Sequence, residues 1–69
     1  MIEFSIVVPA YNEADKISSS VIQILSFMRS FSDSFELIVS DDGSSDNTVS
    51  IVEDLASQNP ELVLLKNAH

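Results

Sequence analysis

Residues 35–48, with the sequence FELIVSDDGSSDNT, decide the fold class of this chain. Residues 35–40 are mostly apolar with a β-branched centre, which predicts a short strand. Residues 41–46 follow directly and are types that favour turns and helix starts. The next apolar residues have helical spacing and are Val49, Val52, Leu55 and Ala56. Pro60 lies just beyond the expected end of this helix. A strand that leads through a tight polar loop into a helix is the repeating unit of α/β sheets.

The same unit precedes this stretch, and a further strand follows it. Residues 4–9 predict the first strand, and residues 62–65 predict the third. A helical stripe lies between the first two strands and consists of Ile17, Val21, Ile24, Leu25 and Met28. We expect this helix to begin with Asn12 as its N-cap, with Asp15 in a capping-box position, and to end near Phe31.

The order β-α-β-α-β predicts an α/β fold with three parallel strands and right-handed crossovers. If consecutive strands are neighbours, both helices cover the same face of the sheet and leave the other face bare. The first strand nevertheless contains an unbroken run, Ile6-Val7-Val8, which suits a strand buried on both faces. We therefore expect residues 1–69 to be the N-terminal part of one incomplete domain, without a second domain. Downstream residues or a partner chain would complete it.

The composition excludes several classes of partner. Eleven acidic residues against three Lys and Arg give a net charge of −8, which disfavours nucleic acid and anionic lipid as partners. An acidic chain can still bind an anionic nucleotide when a divalent cation mediates. The chain has no cysteine, no basic N-terminal signal sequence and no apolar run of the roughly 20 residues that a membrane span needs.

Three polar clusters follow the three predicted strands, at residues 10–13, 41–46 and 67–69. Ligands of open α/β sheets bind outside the carboxyl ends of the strands, so the clusters predict a site there. The single glycine, Gly43, excludes both the dinucleotide-binding G-x-G-x-x-G motif and the P-loop. Asn47 stands where an EF-hand requires glycine. A nucleotide would therefore be held by its base and ribose.

Residues 5–13 (SIVVPAYNE) and 36–48 (ELIVSDDGSSDNT) resemble the family 2 glycosyltransferases of GT-A fold. The likeness spans essentially the whole chain, and Ser40 is a small departure where Val or Ala is common. It implies half of a Rossmann-like GT-A domain. The implied activity is transfer of a sugar from a UDP- or GDP-sugar to a hydroxyl or a polyprenyl phosphate. Residues 12–14 (NEA) and the first helix resemble the branch that acts on polyprenyl phosphates.

The resemblance also implies which residues hold the nucleotide. By position, Pro9, Tyr11 and Glu13 would line the base and ribose, and the pair Asp41-Asp42 would help to hold the nucleotide. Asp41 would accept a hydrogen bond from a ring N–H of uracil or guanine. Gly43 would let the backbone turn tightly under the nucleotide.

Structural alternatives stay open for these loop residues. Asp42 would shape the turn and the helix start, and Ser45 and Asp46 suit helix capping. Tyr11 could instead pack on the first helix, and Glu13 could be a favourable charge in its first turn.

The catalytic residues implied by the resemblance are not in this sequence. The family's D-x-D motif binds a divalent cation, Mg or Mn, that bridges the donor diphosphate, and its catalytic base lies further downstream. The chain contains no D-x-D, so we assign it neither a catalytic residue nor a metal ligand. For the full-length protein the resemblance implies an inverting displacement and a cytoplasmic location, including the inner face of a membrane.

Two other interpretations compete with this one. The chain could be a truncated, non-catalytic α/β module that self-associates through its bare sheet face. A receiver-type signalling domain also carries paired aspartates, but there the pair follows the first strand. Here the first strand ends in Pro9-Ala10-Tyr11, which disfavours that class.

Overall fold

The computed structural model describes residues 2–67 and confirms the predicted α/β fold. The sheet has the order β1-β2-β3, and both strand pairs are parallel. Among residues 2–67, no helix is long and apolar enough to cross a membrane. The elements in chain order are β1 (Phe4–Ala10), α1 (Ile17–Phe31), β2 (Phe35–Asp41), α2 (Thr48–Gln58) and β3 (Leu62–Lys66).

The core lies between the sheet and the two helices, which pack on the same face. Every second residue of β2 is buried, because successive side chains of a strand point to opposite faces. Leu37, at the centre of β2, is 0% exposed. The surrounding core comes from the apolar stripes of both helices and from the flanking strands. Its most buried helical members are Val21, Leu25 and Val52.

The opposite face of the sheet is uncovered in the part of the chain that the structure describes. Val7 pairs with Ile38 and Ile38 with Val63, so three aliphatic residues form one row across the sheet. Val7 is 60% exposed, so the expectation that the second face of the sheet is bare is confirmed within residues 2–67. Two helices supply only one covering layer, and both lie on the other side. It remains a prediction that this face is covered by further protein or by a second copy of the chain.

Helix α1 starts later than the sequence pattern predicts. It begins at Ile17, and residues 14–16 form turns that precede it. Asn12 is therefore not the N-cap. Its backbone has a φ of 50°, in the left-handed region, and its side chain contacts a different loop. Glu13 also lies before the helix, so its predicted role as a first-turn charge on the helix dipole is wrong.

An ion pair joins α1 to the start of β3. Arg29 donates from Nε to Glu61 Oε2 at 2.9 Å and from Nη2 to Glu61 Oε1 at 2.8 Å. The same Nη2 donates to Asn59 Oδ1 at 2.8 Å. The side-chain hydrogen bond from Arg29 lowers the pKa of the Glu61 carboxyl to about 2.

We expect this carboxyl to contribute to the loss of stability as the pH falls from 4.5, its ordinary pKa, to about 2. A carboxyl with a lowered pKa in the folded state stabilises that state while ionised, so its full contribution is present above pH 4.5. The effect is small because water reaches both partners. The urea midpoint of unfolding should therefore decrease slightly less between neutral and acid pH for Glu61→Gln than for the unmodified chain. An identical fall in both would contradict the assignment.

Candidate functional site

The carboxyl ends of β1 and β2 bring two polar loops together at one edge of the sheet. Ala10 and Asp41 are register partners at the last position of the β1–β2 pair. The Asp42 N–H donates to the Ala10 carbonyl at 2.9 Å, which extends the contact past the strand ends. We call residues 11–16 the first loop and residues 42–47 the second loop. The predicted convergence of these two clusters is confirmed.

Asn12 links the first loop to the second through both its backbone and its side chain. Its N–H donates to Ser44 Oγ at 2.8 Å. Its Oδ1 accepts the N–H of Ser45 at 2.8 Å and that of Asp46 at 3.3 Å. The left-handed backbone of Asn12 turns the side chain towards these donors, and asparagine tolerates that conformation better than most residues. Sequence reasoning assigned Asn12 to the wrong partner, because a polar residue before a helical stripe predicts a cap.

Asp46 and Thr48 form a second link between the loops. The Ala14 N–H donates to Asp46 Oδ2 at 3.2 Å, and the Glu13 N–H donates to Thr48 Oγ1 at 2.9 Å. Asp46 Oδ1 accepts both the hydroxyl and the N–H of Thr48. The Thr48 hydroxyl is the main cause of a lowered pKa for the Asp46 carboxyl; burial opposes this effect, and the N–H groups of Thr48 and Ala14 add to it.

The capping predictions for the second loop are met only in part. Asp46 binds the N–H of the first α2 residue, so it does serve the start of that helix. Ser45 does not cap α2, since its hydroxyl is directed to Asn12 Oδ1 at 3.4 Å and the N–H of the first helical residue is taken by Asp46. The residue in the N-cap position is Asn47, and its side chain makes no capping hydrogen bond.

Asp41 is buried and holds the turn of the second loop. The residue is 2% exposed. Its Oδ2 accepts the N–H groups of Gly43 at 3.2 Å and Ser44 at 3.0 Å, and its Oδ1 accepts the Ser44 hydroxyl at 2.6 Å. Gly43 has a φ of 85°, a conformation that glycine adopts without the steric cost of a side chain. Asp41 therefore shapes this turn, the predicted tight turn at Gly43 is confirmed, and the turn-shaping role of Asp42 stays a prediction.

The remaining residues predicted for the site lie on its surface. Pro9, Glu13 and Asp42 are exposed, and Tyr11 is 51% exposed, so Tyr11 does not lie buried against α1.

The end of β3 reaches the same edge through Asn67. Its N–H donates to the Asp41 carbonyl at 2.8 Å, and residues 68 and 69 of the third predicted cluster lie outside the described residues.

The edge is an open surface in the described part of the chain. No enclosed pocket forms within residues 2–67. No group of three or more His, Cys, Asp or Glu side chains in that range could hold a metal ion. A ligand bound here would therefore lie across the two linked loops, in contact with side chains that face solvent.

The sequence of this chain is similar to known proteins. A model of the family described as glycosyl transferase family 2 matches residues 5–69, which include every strand and helix of the structure except the first residue of β1. The chain belongs to glycosyl transferase family 2. It is 40% identical over 63 residues to the protein named glycosyltransferase AglD of Haloferax volcanii. The match covers 88% of this family 2 chain and 10% of that relative. No solved structure matches the present chain.

Proposed function

We propose that this chain binds the nucleotide of a nucleotide-diphosphate sugar, as part of an enzyme that transfers the sugar to a hydroxyl or a polyprenyl phosphate. The observation that carries the proposal is the pair of loops linked at the carboxyl edge of a parallel sheet. Three residues next to these links, Tyr11, Glu13 and Asp42, lie at the surface. Membership of the family and the name of the AglD relative support a sugar-transfer role.

We assign the contact with the base to Asp42 rather than to Asp41. The carboxylate of Asp41 already accepts three hydrogen bonds and is 2% exposed, which argues against a role in contacting a ligand. Asp42 is the next residue and is exposed. An ionised carboxylate accepts hydrogen bonds and donates none, so it favours uracil and guanine, which offer a ring N–H, over cytosine.

The first loop would supply the other contacts of the nucleoside. The rings of Pro9 and Tyr11 offer exposed apolar surface against which a base can lie. The carboxylate of Glu13 can accept hydrogen bonds from ribose hydroxyls. The turn at Gly43 would let the backbone approach the nucleotide closely, because glycine has no side chain to obstruct it.

The sugar-transfer step itself is not assigned to these residues. An inverting displacement needs a base for the acceptor and a group, such as a Mg or Mn ion, that stabilises the leaving diphosphate. The acidic residues within 2–67 do not fit such an ion, because no three of them come together and Asp41 is already hydrogen-bonded. The proposal locates the chain in the cytoplasm, at the inner face of a membrane where the acceptor is a polyprenyl phosphate.

We expect Asp42→Asn to weaken binding of UDP or GDP, whichever the chain prefers. The ratio between the affinity for that nucleotide and the affinity for CDP should also become smaller. Replacing a charged acceptor by a neutral one weakens the hydrogen bond without removing it, which should raise Kd by about tenfold. The new amide can also donate to the ring nitrogen that cytosine leaves unprotonated. Calorimetric titration of the chain with UDP, GDP and CDP measures both effects.

Asp54→Asn is the matched control. It removes the same charge from an exposed position on α2, away from the linked loops. It should change nucleotide affinity by less than about twofold, since screening reduces the effect of a distant surface charge. Equal effects of the two variants would overturn the assignment to Asp42, and no binding of any of the three nucleotides would overturn the proposed function.

A further inference from the structure

We propose that Ser44 is a positioning residue that couples the two loops of the donor site. This inference rests on the proposed function. The Ser44 hydroxyl accepts the Asn12 N–H at 2.8 Å and donates to Asp41 Oδ1 at 2.6 Å. One oxygen atom thus connects the first loop to the end of β2, through a residue that itself belongs to the second loop.

The link requires a group that accepts and donates at once. A hydroxyl has one O–H and two lone pairs, so it can take the Asn12 N–H and still donate to Asp41. The carboxylate of Asp41, which accepts the hydroxyl, is fixed because its Oδ2 atom also accepts the N–H groups of Gly43 and Ser44. The position of Asn12 is therefore set by a buried anchor on β2, although the two residues lie in different loops.

This coupling sets the spacing between the exposed side chains of the site. Asn12 stands between Tyr11 and Glu13 in the first loop, and hydrogen bonds to the second loop hold its left-handed backbone in place. Asp42 lies two residues before Ser44. Without the hydroxyl, the hydrogen bonds of Asn12 Oδ1, Glu13 and Ala14 to the second loop remain, but the Asn12 N–H loses its acceptor. The start of the first loop is then held less tightly beside Asp42, and a nucleotide would have to order it on binding. Preorganised sites avoid that cost.

The neighbouring serine provides a matched control. Ser45 is exposed, and its hydroxyl makes only a 3.4 Å contact with Asn12 Oδ1. Its useful contact with Asn12 comes from the backbone N–H at 2.8 Å, which an alanine keeps. Ser44→Ala and Ser45→Ala therefore remove the same atom from adjacent positions, one within the link and one beside it.

The test combines nuclear magnetic resonance hydrogen exchange with titration by UDP and GDP. In Ser44→Ala, we expect the Asn12 amide to exchange about tenfold faster and the nucleotide Kd to rise about tenfold, the effect of losing one hydrogen bond. Ser45→Ala and the conservative Ser44→Thr should each stay within about twofold of the unmodified chain in both measurements. If Ser44→Ala does not fold, Ser44→Cys keeps the side chain's size with a weaker donor and acceptor, and should shift both quantities in the same direction.

Two results would overturn the inference. One is an Asn12 amide that stays as protected in Ser44→Ala as in the unmodified chain, or is exposed equally by Ser45→Ala. The other is faster exchange with no change in nucleotide affinity. If the unmodified chain binds neither nucleotide while Ser44→Ala alone speeds exchange at Asn12, the coupling of the loops is supported and the proposed donor function fails instead.

Discussion

Replacing Leu37 by alanine is expected to remove most of the stability of this chain. Leu37 is 0% exposed at the centre of β2, between both helices and the flanking strands. Buried Leu→Ala changes cost about 2–5 kcal/mol, since they lose the transfer free energy and leave a cavity. A chain of 69 residues is stabilised by only about 3–10 kcal/mol in total. Urea denaturation followed by circular dichroism measures the loss.

Leu65→Ala is the control for this prediction. It deletes the same atoms from a residue that is 51% exposed on the uncovered face of the sheet. We expect a cost below about 1 kcal/mol, because little apolar surface returns to water and no cavity forms. Similar costs for the two variants would contradict the arrangement in which only one face of the sheet is covered.

The second large effect is expected for Asp41→Ala, which should lower the free energy of unfolding by about 2–4 kcal/mol. The change leaves the N–H groups of Gly43 and Ser44 and the Ser44 hydroxyl without their acceptor at a partly buried position. Removing one partner of a buried polar contact costs the desolvation of the groups left behind. Urea denaturation of the variant and of the unmodified chain gives the difference.

Two neighbouring changes show whether this cost comes from the hydrogen bonds. Asp41→Asn keeps one acceptor oxygen and the size of the side chain, so it should cost clearly less than Asp41→Ala. Asp42→Ala changes an exposed carboxylate and should cost less than about 1 kcal/mol. If Asp42→Ala destabilised the chain as much as Asp41→Ala, the division of roles between the two aspartates would be wrong.

Under the proposed function, this division separates stability from ligand contact within one acidic pair. Asp41 faces the helices, where it fixes the turn, while Asp42 stays at the surface, where a nucleotide can reach it. Mutating Asp41 would also weaken nucleotide binding, but by disordering the loop. Measurements of affinity alone would therefore confuse the two residues, and unfolding measurements tell them apart.

The strand and helix order could be predicted from the sequence because the signals are local. A change from a continuous apolar run to helical spacing marks each transition in the chain. The first strand prediction ended one residue short of β1, and the second and third ended one residue short of β2 and β3. The start of α1 was missed by several residues. A polar residue before a helical stripe looks like a cap whether its side chain turns back to the helix or reaches another loop.

One signal for the burial of Asp41 was present in the sequence. Alternation along β2 directs Phe35, Leu37 and Val39 inward, and the same period carries Asp41 inward and Asp42 outward. The prediction assigned Asp41 to the ligand because it lies nearest the strand end. A predicted second strand that was one residue longer would have placed Asp41 inward and Asp42 outward, as in the structure.

The sequence by itself determined the fold class, the edge of the sheet at which the polar loops meet and the exclusion of glycine-rich phosphate-binding motifs. Only the tertiary structure decided how the two loops are joined. Asn12 and Ser44 are 32 residues apart in the chain, and Glu13 and Thr48 are 35 apart. Hydrogen bonds over such separations depend on strand register and on a left-handed backbone at Asn12, which no local pattern encodes. The physical reason is that the parallel sheet places the two loops side by side, which brings side chains far apart in the sequence within hydrogen-bonding distance.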